Sequence, residues 1–161
     1  MSKQQPIELF MPPNTLRAKA GGGFGGVDMG ALKRADAAME TLKTEFGAMA
    51  ADGVTALIAA HRTYAAAQSP EHRAGLLRAA HDIKGLAATF GYPLMGRLAA
   101  SLSRLAADAP ANAPLPMKLV EAHVAAIQLV LARDMKGDGD KPTLALLEEL
   151  ARQVTEVTGK T

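Results

Sequence analysis

Across residues 28–158, apolar side chains return every three to four positions, in stretches separated by short segments rich in proline and glycine. That spacing is the period of one face of an α-helix, and strands would alternate every second residue instead. Leu32, Met39, Leu42, Phe46 and Met49 mark a first helix of about 28–50, and "ADG" at 51–53 reads as a bend. Val54, Leu57, Ile58 and Tyr64 carry a second run. "SPE" at 69–71 is a helix start: Ser69 can cap, Pro70 suits the first helical position, and Glu71 meets the positive end of the helix dipole. That helix is expected to reach about Gly91, where "GYP" breaks it and Pro93 opens the next. "DAPANAPLP" at 108–116 and "KGDGDKP" at 136–142 are loops, the first followed by a helix from near Pro116 and the second by one over about 143–158.

Short connections between such helices favour antiparallel neighbours. The expected architecture is therefore all-α: an antiparallel up-down four-helix bundle over about 52–135, with an additional N-terminal helix and a C-terminal helix. Residues 1–27 read as a tail and linker, since Pro6, Pro12 and Pro13 forbid a continuous helix and "GGGFGG" at 21–26 is a flexible composition. Residues 28–161 form one helical domain on this reading. Within the tail, "IELFM" at 7–11 could dock on a partner or fold onto the body, and the residues leave both open.

Several function classes fall away. The formal charge of +2, with no basic run interleaved with aromatics, does not suit nucleic acid. The absence of cysteine removes disulfides and zinc–thiolate sites and fits a reducing compartment. No apolar run approaches the roughly 20 residues that span a bilayer. The opening "MSKQQPIELFMPP" lacks a signal-peptide pattern, so a cytoplasmic protein is expected. "GGGFGG" formally matches a dinucleotide fingerprint, but no strand precedes it. His61, His72 and His123 lack a ligating partner at i+3 or i+4, and "DMKGDG" at 134–139 places Lys136 where a calcium ligand belongs, so no metal is expected.

One stretch, "AAHDIKGLAATFG" at 79–91, is unusual for a helix interior. At about 100° per residue, Leu76, Ala79, Ile83, Leu86 and Phe90 fall within about 40° of the side opposite His81. His81 therefore points away from the expected core. Ala74, Gly85 and Ala88 lie within about 40° of it, and Lys84 and Arg78 flank it one turn on either side. Leu77, also nearby, would be an awkward exposed apolar residue unless a partner covers it. An imidazole on a floor of small side chains is open to another protein, and in its neutral form it is a nucleophile that can take a phosphoryl group. Lys84 can neutralise phosphoryl oxygens as a mobile point charge, and Gly85 removes the side chain that would collide with the group or with an approaching loop. Nothing nearby supplies a general base for hydrolysis.

At this point the stretch resembles the histidine phosphotransfer (HPt) domain family, whose H-x-x-K-G-x-x-x-x-x-G pattern is met by His81, Lys84, Gly85 and Gly91 over a region of about 52–135. The resemblance implies a phosphocarrier without catalysis of its own. His81 would accept a phosphoryl group from the aspartate of one response-regulator receiver, or of a hybrid kinase receiver, and pass it to another. It implies no cofactor on this chain, with the Mg²⁺ held by the receiver, and Gly91 as a helix-packing residue. Leu77 and Arg78 are the docking candidates. A stand-alone carrier that is monomeric is expected; the competing reading is a helical adaptor that binds receivers without carrying phosphate.

Overall fold

The computed structural model describes residues 28–159. The expectations for residues 1–27, including "IELFM" and "GGGFGG", lie outside them. Five helices make up the described chain: α1 Met29–Ala66, α2 Pro70–Ala87, α3 Pro93–Asp108, α4 Met117–Ala132 and α5 Lys141–Thr158. The contacts divide the chain into Met1–Ala38 and Met39–Thr161. In the first unit, Asp28 opens α1 by accepting a hydrogen bond from the Gly30 amide at 2.9 Å.

The second unit is a four-helix bundle with one extra helix. Its core joins Val54, Leu57 and Tyr64 of α1, Leu76 and Ile83 of α2, Leu98 and Leu102 of α3, and Val120 and Ile127 of α4. The extra helix, α5, packs in cis by burying Leu147, Leu150 and Val154 in the same core. Arg104 of α3 anchors it, donating to Thr155 Oγ1 at 2.6 Å.

The expected bend at 51–53 is absent, because α1 runs unbroken through Gly53 for 38 residues. A Cβ built on Gly53 would meet Ile83 Cγ1 at 3.5 Å, an ordinary van der Waals contact. Glycine costs a helix interior roughly 1 kcal/mol relative to alanine. The burial of Val54, Leu57 and Tyr64 beyond it outweighs that cost, each buried aliphatic or aromatic side chain contributing about 1.5–3 kcal/mol.

α2 begins as its sequence requires. Ser69 Oγ accepts from the His72 amide at 3.2 Å, Pro70 occupies the first turn, and Glu71 stands at the positive end of the dipole. Hydrogen bonds from the backbone and from Ser69 hold the Glu71 carboxyl below its ordinary pKa. Its end is built around Gly91, which has φ +78°. The Tyr92 amide donates to Ala87 O at 2.9 Å and the Gly91 amide to Ala88 O at 3.2 Å, the paired bonds of a Schellman motif. Gly91 was expected to pack against a neighbour. Instead it is exposed, and an added Cβ would reach only Lys136 Cδ at 4.0 Å. The position demands glycine for its backbone conformation, not for space.

α3 has no basic residue in its own last turn. Arg73 of α2 supplies the charge instead, donating to Ala106 O at 2.7 Å, Ala109 O at 2.5 Å and Pro110 O at 2.9 Å. A guanidinium there satisfies carbonyls that the helix end leaves unpaired and meets the negative end of its dipole. On the opposite end, Tyr92 ties the α2–α3 turn to the segment after α4, its hydroxyl donating to Asp134 Oδ1 at 2.5 Å. Desolvation, reinforced by that carboxylate, pushes the Tyr92 phenol up to about 12.

His123 of α4 is fully buried. Its Nδ1–H donates to Leu119 O at 2.7 Å, and Nε2 accepts from the Ser101 hydroxyl at 3.0 Å. That pattern uses the neutral imidazole, and burial lowers its pKa below the ordinary 6.5.

Two measurements check this account. Gly53→Ala is expected to raise, and Gly91→Ala to lower, the unfolding free energy by about 1 kcal/mol each in denaturant titrations. For His123, the unfolded chain binds a proton that the folded chain resists, so its contribution is present above pH 6.5 and is lost as pH falls below that value. Thermal melts are expected to show a shallower loss of stability below pH 6.5 in His123→Gln than in the parent chain.

Candidate functional site

The rotation of α2 about its own axis decides what it exposes. Its buried stripe is Leu76, Ala80, Ile83 and Ala87, continued by Phe90 in the turn that follows. This is displaced from the stripe expected from hydrophobicity, which took Ala79 and Leu86 as core. Leu86 is 41% exposed and Ala79 only half-buried. The reason lies in α3: a Cβ added at Gly96 would stand 3.4 Å from Ala87 Cβ and 4.0 Å from Lys84 O. With so little side chain between them, α2 and α3 cross closely, and the alanine side of α2 is drawn inward.

His81 is exposed on the far side of this stripe, with Asp82, Lys84 and Gly85 exposed around it. No hydrogen bond or ion pair to another described residue holds the His81 imidazole or the Lys84 ammonium. Gly85 has nothing within 4 Å of where a Cβ would stand. His81 and Gly85 line an open groove between α1 and α2, together with Asp82, Ala79 and Leu86 of α2 and Met49, Asp52, Gly53 and Ala56 of α1. Leu86 of α2 and Met49 of α1 give the groove apolar surface, and carboxylates stand at Asp82 and Asp52.

Not every expected neighbour gathers here. Ala88 and Arg78 are exposed but line no part of the groove. Ala74 and Leu77 lie on a second depression, bounded by Tyr64, Arg73 and the α3–α4 loop. Leu77 is half-buried and packs on the core, so it is not the bare apolar residue that the sequence suggested. Helical angle alone places Ala74 on the face of His81, but two turns separate them along the axis, about 10 Å.

The residues missed are those of α1. Met49, Asp52 and Ala56 share the groove only because α1 continues through Gly53 and lies against α2. The recurrence of Met49, Asp52, Gly53 and Ala56 at the spacing of one helix face was the available signal. Among the described residues no group of three or more histidine, aspartate or glutamate side chains converges as a metal site. No described helix is long and apolar enough to cross a membrane.

Comparison with known proteins gives one result. A family model, the Hpt domain, matches residues 27–157. It takes in α5, which the resemblance read from the sequence had left outside. No match was found among curated proteins or among solved structures. Hpt domains are phosphocarriers of phosphorelays that work with receiver domains of response regulators. An all-helical bundle whose family match covers more than three-quarters of its length is sufficient for the assignment: the chain belongs to the Hpt domain family.

Proposed function

We propose that His81 is the phosphoryl carrier of this chain, taking the group from the aspartate of one receiver and delivering it to the aspartate of another. The observation that carries the reading is the exposure of the imidazole, beside Lys84 and Gly85, on the helix face opposite the core. In the forward step a ring nitrogen attacks phosphorus while the bond from phosphorus to the receiver's carboxylate oxygen breaks. The carboxylate leaves with the electron pair, and the imidazole sheds the proton of its other nitrogen to solvent. The return step reverses this onto a second receiver. Positioning accounts for most of such a transfer, and the metal that neutralises the transferred charge is the receiver's.

Lys84 lies one turn from His81, where an ammonium can follow the phosphoryl oxygens as they arrive. Gly85 leaves the approach open. The Met49 and Leu86 side chains offer apolar contact beside the reacting nitrogen, the usual arrangement of an interface core next to a polar rim. Asp52 and Asp82 face the same groove and would meet cationic groups of the visitor.

Incubation with a ³²P-labelled phosphoreceiver is expected to label the parent chain in an acid-labile, base-stable form. His81→Gln is expected to take up no label while keeping its helical circular dichroism; equal labelling would sink the assignment. Lys84→Ala should slow transfer about tenfold, the effect of removing one charge-assisted contact of roughly 1.4 kcal/mol. Gly85→Gln provides the complementary test. A side chain has room there and removes a helical glycine, so the melting temperature is expected to hold or rise. Receiver affinity, read by calorimetry, is expected to fall about tenfold, or about 1.4 kcal/mol.

A further inference from the structure

The depression that holds Ala74 and Leu77 shares no lining residue with the groove at His81. Its volume is about 650 Å³, within the range of pockets that take small molecules. The end of α1, the start of α2, the end of α3 and the α3–α4 loop border it. Most of its surface is apolar, with Ala106 and Pro114 facing it beside Ala74 and Leu77. Arg73 is the one charged residue among those that line it.

Two hydrogen-bond donors there lack an acceptor among the described residues. Tyr64 is 1% exposed, and its hydroxyl oxygen accepts from the Leu115 amide at 2.9 Å, so its O–H hydrogen has no partner. A guanidinium has five N–H donors. In Arg73, Nε donates to Ala106 O at 2.7 Å, and Nη1 to Pro110 O at 2.9 Å and Ala113 O at 3.5 Å. Nη2 donates to Ala109 O at 2.5 Å, which leaves its second N–H over. Arg73 forms no salt bridge with a described residue. The end of α3 offers it only about half a negative charge, so part of the charge of a half-buried cation is unmatched.

We infer that this depression binds a small organic acid with an aliphatic body, its carboxylate accepting from the free N–H of Arg73 and the hydroxyl of Tyr64. The two spare donors match the two oxygens of a carboxylate, and its single charge completes the neutralisation of the guanidinium. A phosphate monoester would bring more charge and more acceptors than one cation and two donors can meet. A neutral alcohol would leave the cation as it is. The aliphatic body of the acid covers the alanine, leucine and proline surface, which gains from leaving water.

Isothermal titration calorimetry of the full chain with octanoate is the test. Saturable binding of one acid per chain is expected, with octanol and octyl phosphate each bound about tenfold more weakly. Ala74→Phe fills the depression from an exposed helix position, so it is expected to weaken octanoate about tenfold and leave the thermal melt unchanged. Absence of saturable binding at millimolar octanoate overturns the inference. Octanol or octyl phosphate bound as tightly as octanoate overturns the recognition of a carboxylate. Undiminished binding to Ala74→Phe puts the acid elsewhere and overturns the site. None of these readouts involves phosphoryl transfer, so they stand or fall apart from the role of His81.

Discussion

The close crossing of α2 over α3 sets the geometry of everything around His81. A helix can turn only one stripe toward a core, and the contact between Ala87 and the bare backbone of Gly96 fixes which stripe α2 turns. Burying Leu76, Ala80, Ile83 and Ala87 leaves the opposite side no choice but to face outward. His81 is thus exposed as a consequence of packing elsewhere on its own helix. The same rotation brings Leu86 out of the core to the edge of the groove, where an apolar side chain can serve an incoming surface instead of the fold.

Both ends of α2 are held so that this rotation cannot slip. At its start, Ser69 caps the helix and Arg73 reaches across to the carbonyls that end α3. At its finish, Gly91 turns the chain with a left-handed backbone, and the Tyr92 hydroxyl meets Asp134 beyond α4. Hydrogen bonds to ionised groups are roughly twice as strong as neutral ones, and two of these ties involve a guanidinium or a carboxylate. A helix clamped in this way offers the backbone beneath His81 in one position, which spares a visiting protein the entropy of ordering it.

Much of this was legible in the residues. The all-helical fold, the start at Ser69, the outward face of His81 and the apolar stripe of α5 follow from spacing and capping, which are local. What escaped was tertiary. Periodicity ranks Leu86 above Ala80 and Ala87 as core residues, yet alanines win where a neighbouring helix offers a glycine. "ADG" at 51–53 has the composition of a bend, but an isolated helical glycine is a penalty of about 1 kcal/mol that packing on either side readily overcomes. Gly91 was placed correctly at the end of α2 and given the wrong reason, because a sequence shows that a glycine is present and not its φ.

The continuity of α1 had the larger consequence for the site. With a bend at Gly53, the groove would have only the α2 residues around His81. As one helix, α1 lays Met49, Asp52 and Ala56 along its other wall and turns a solitary imidazole into one side of a cleft.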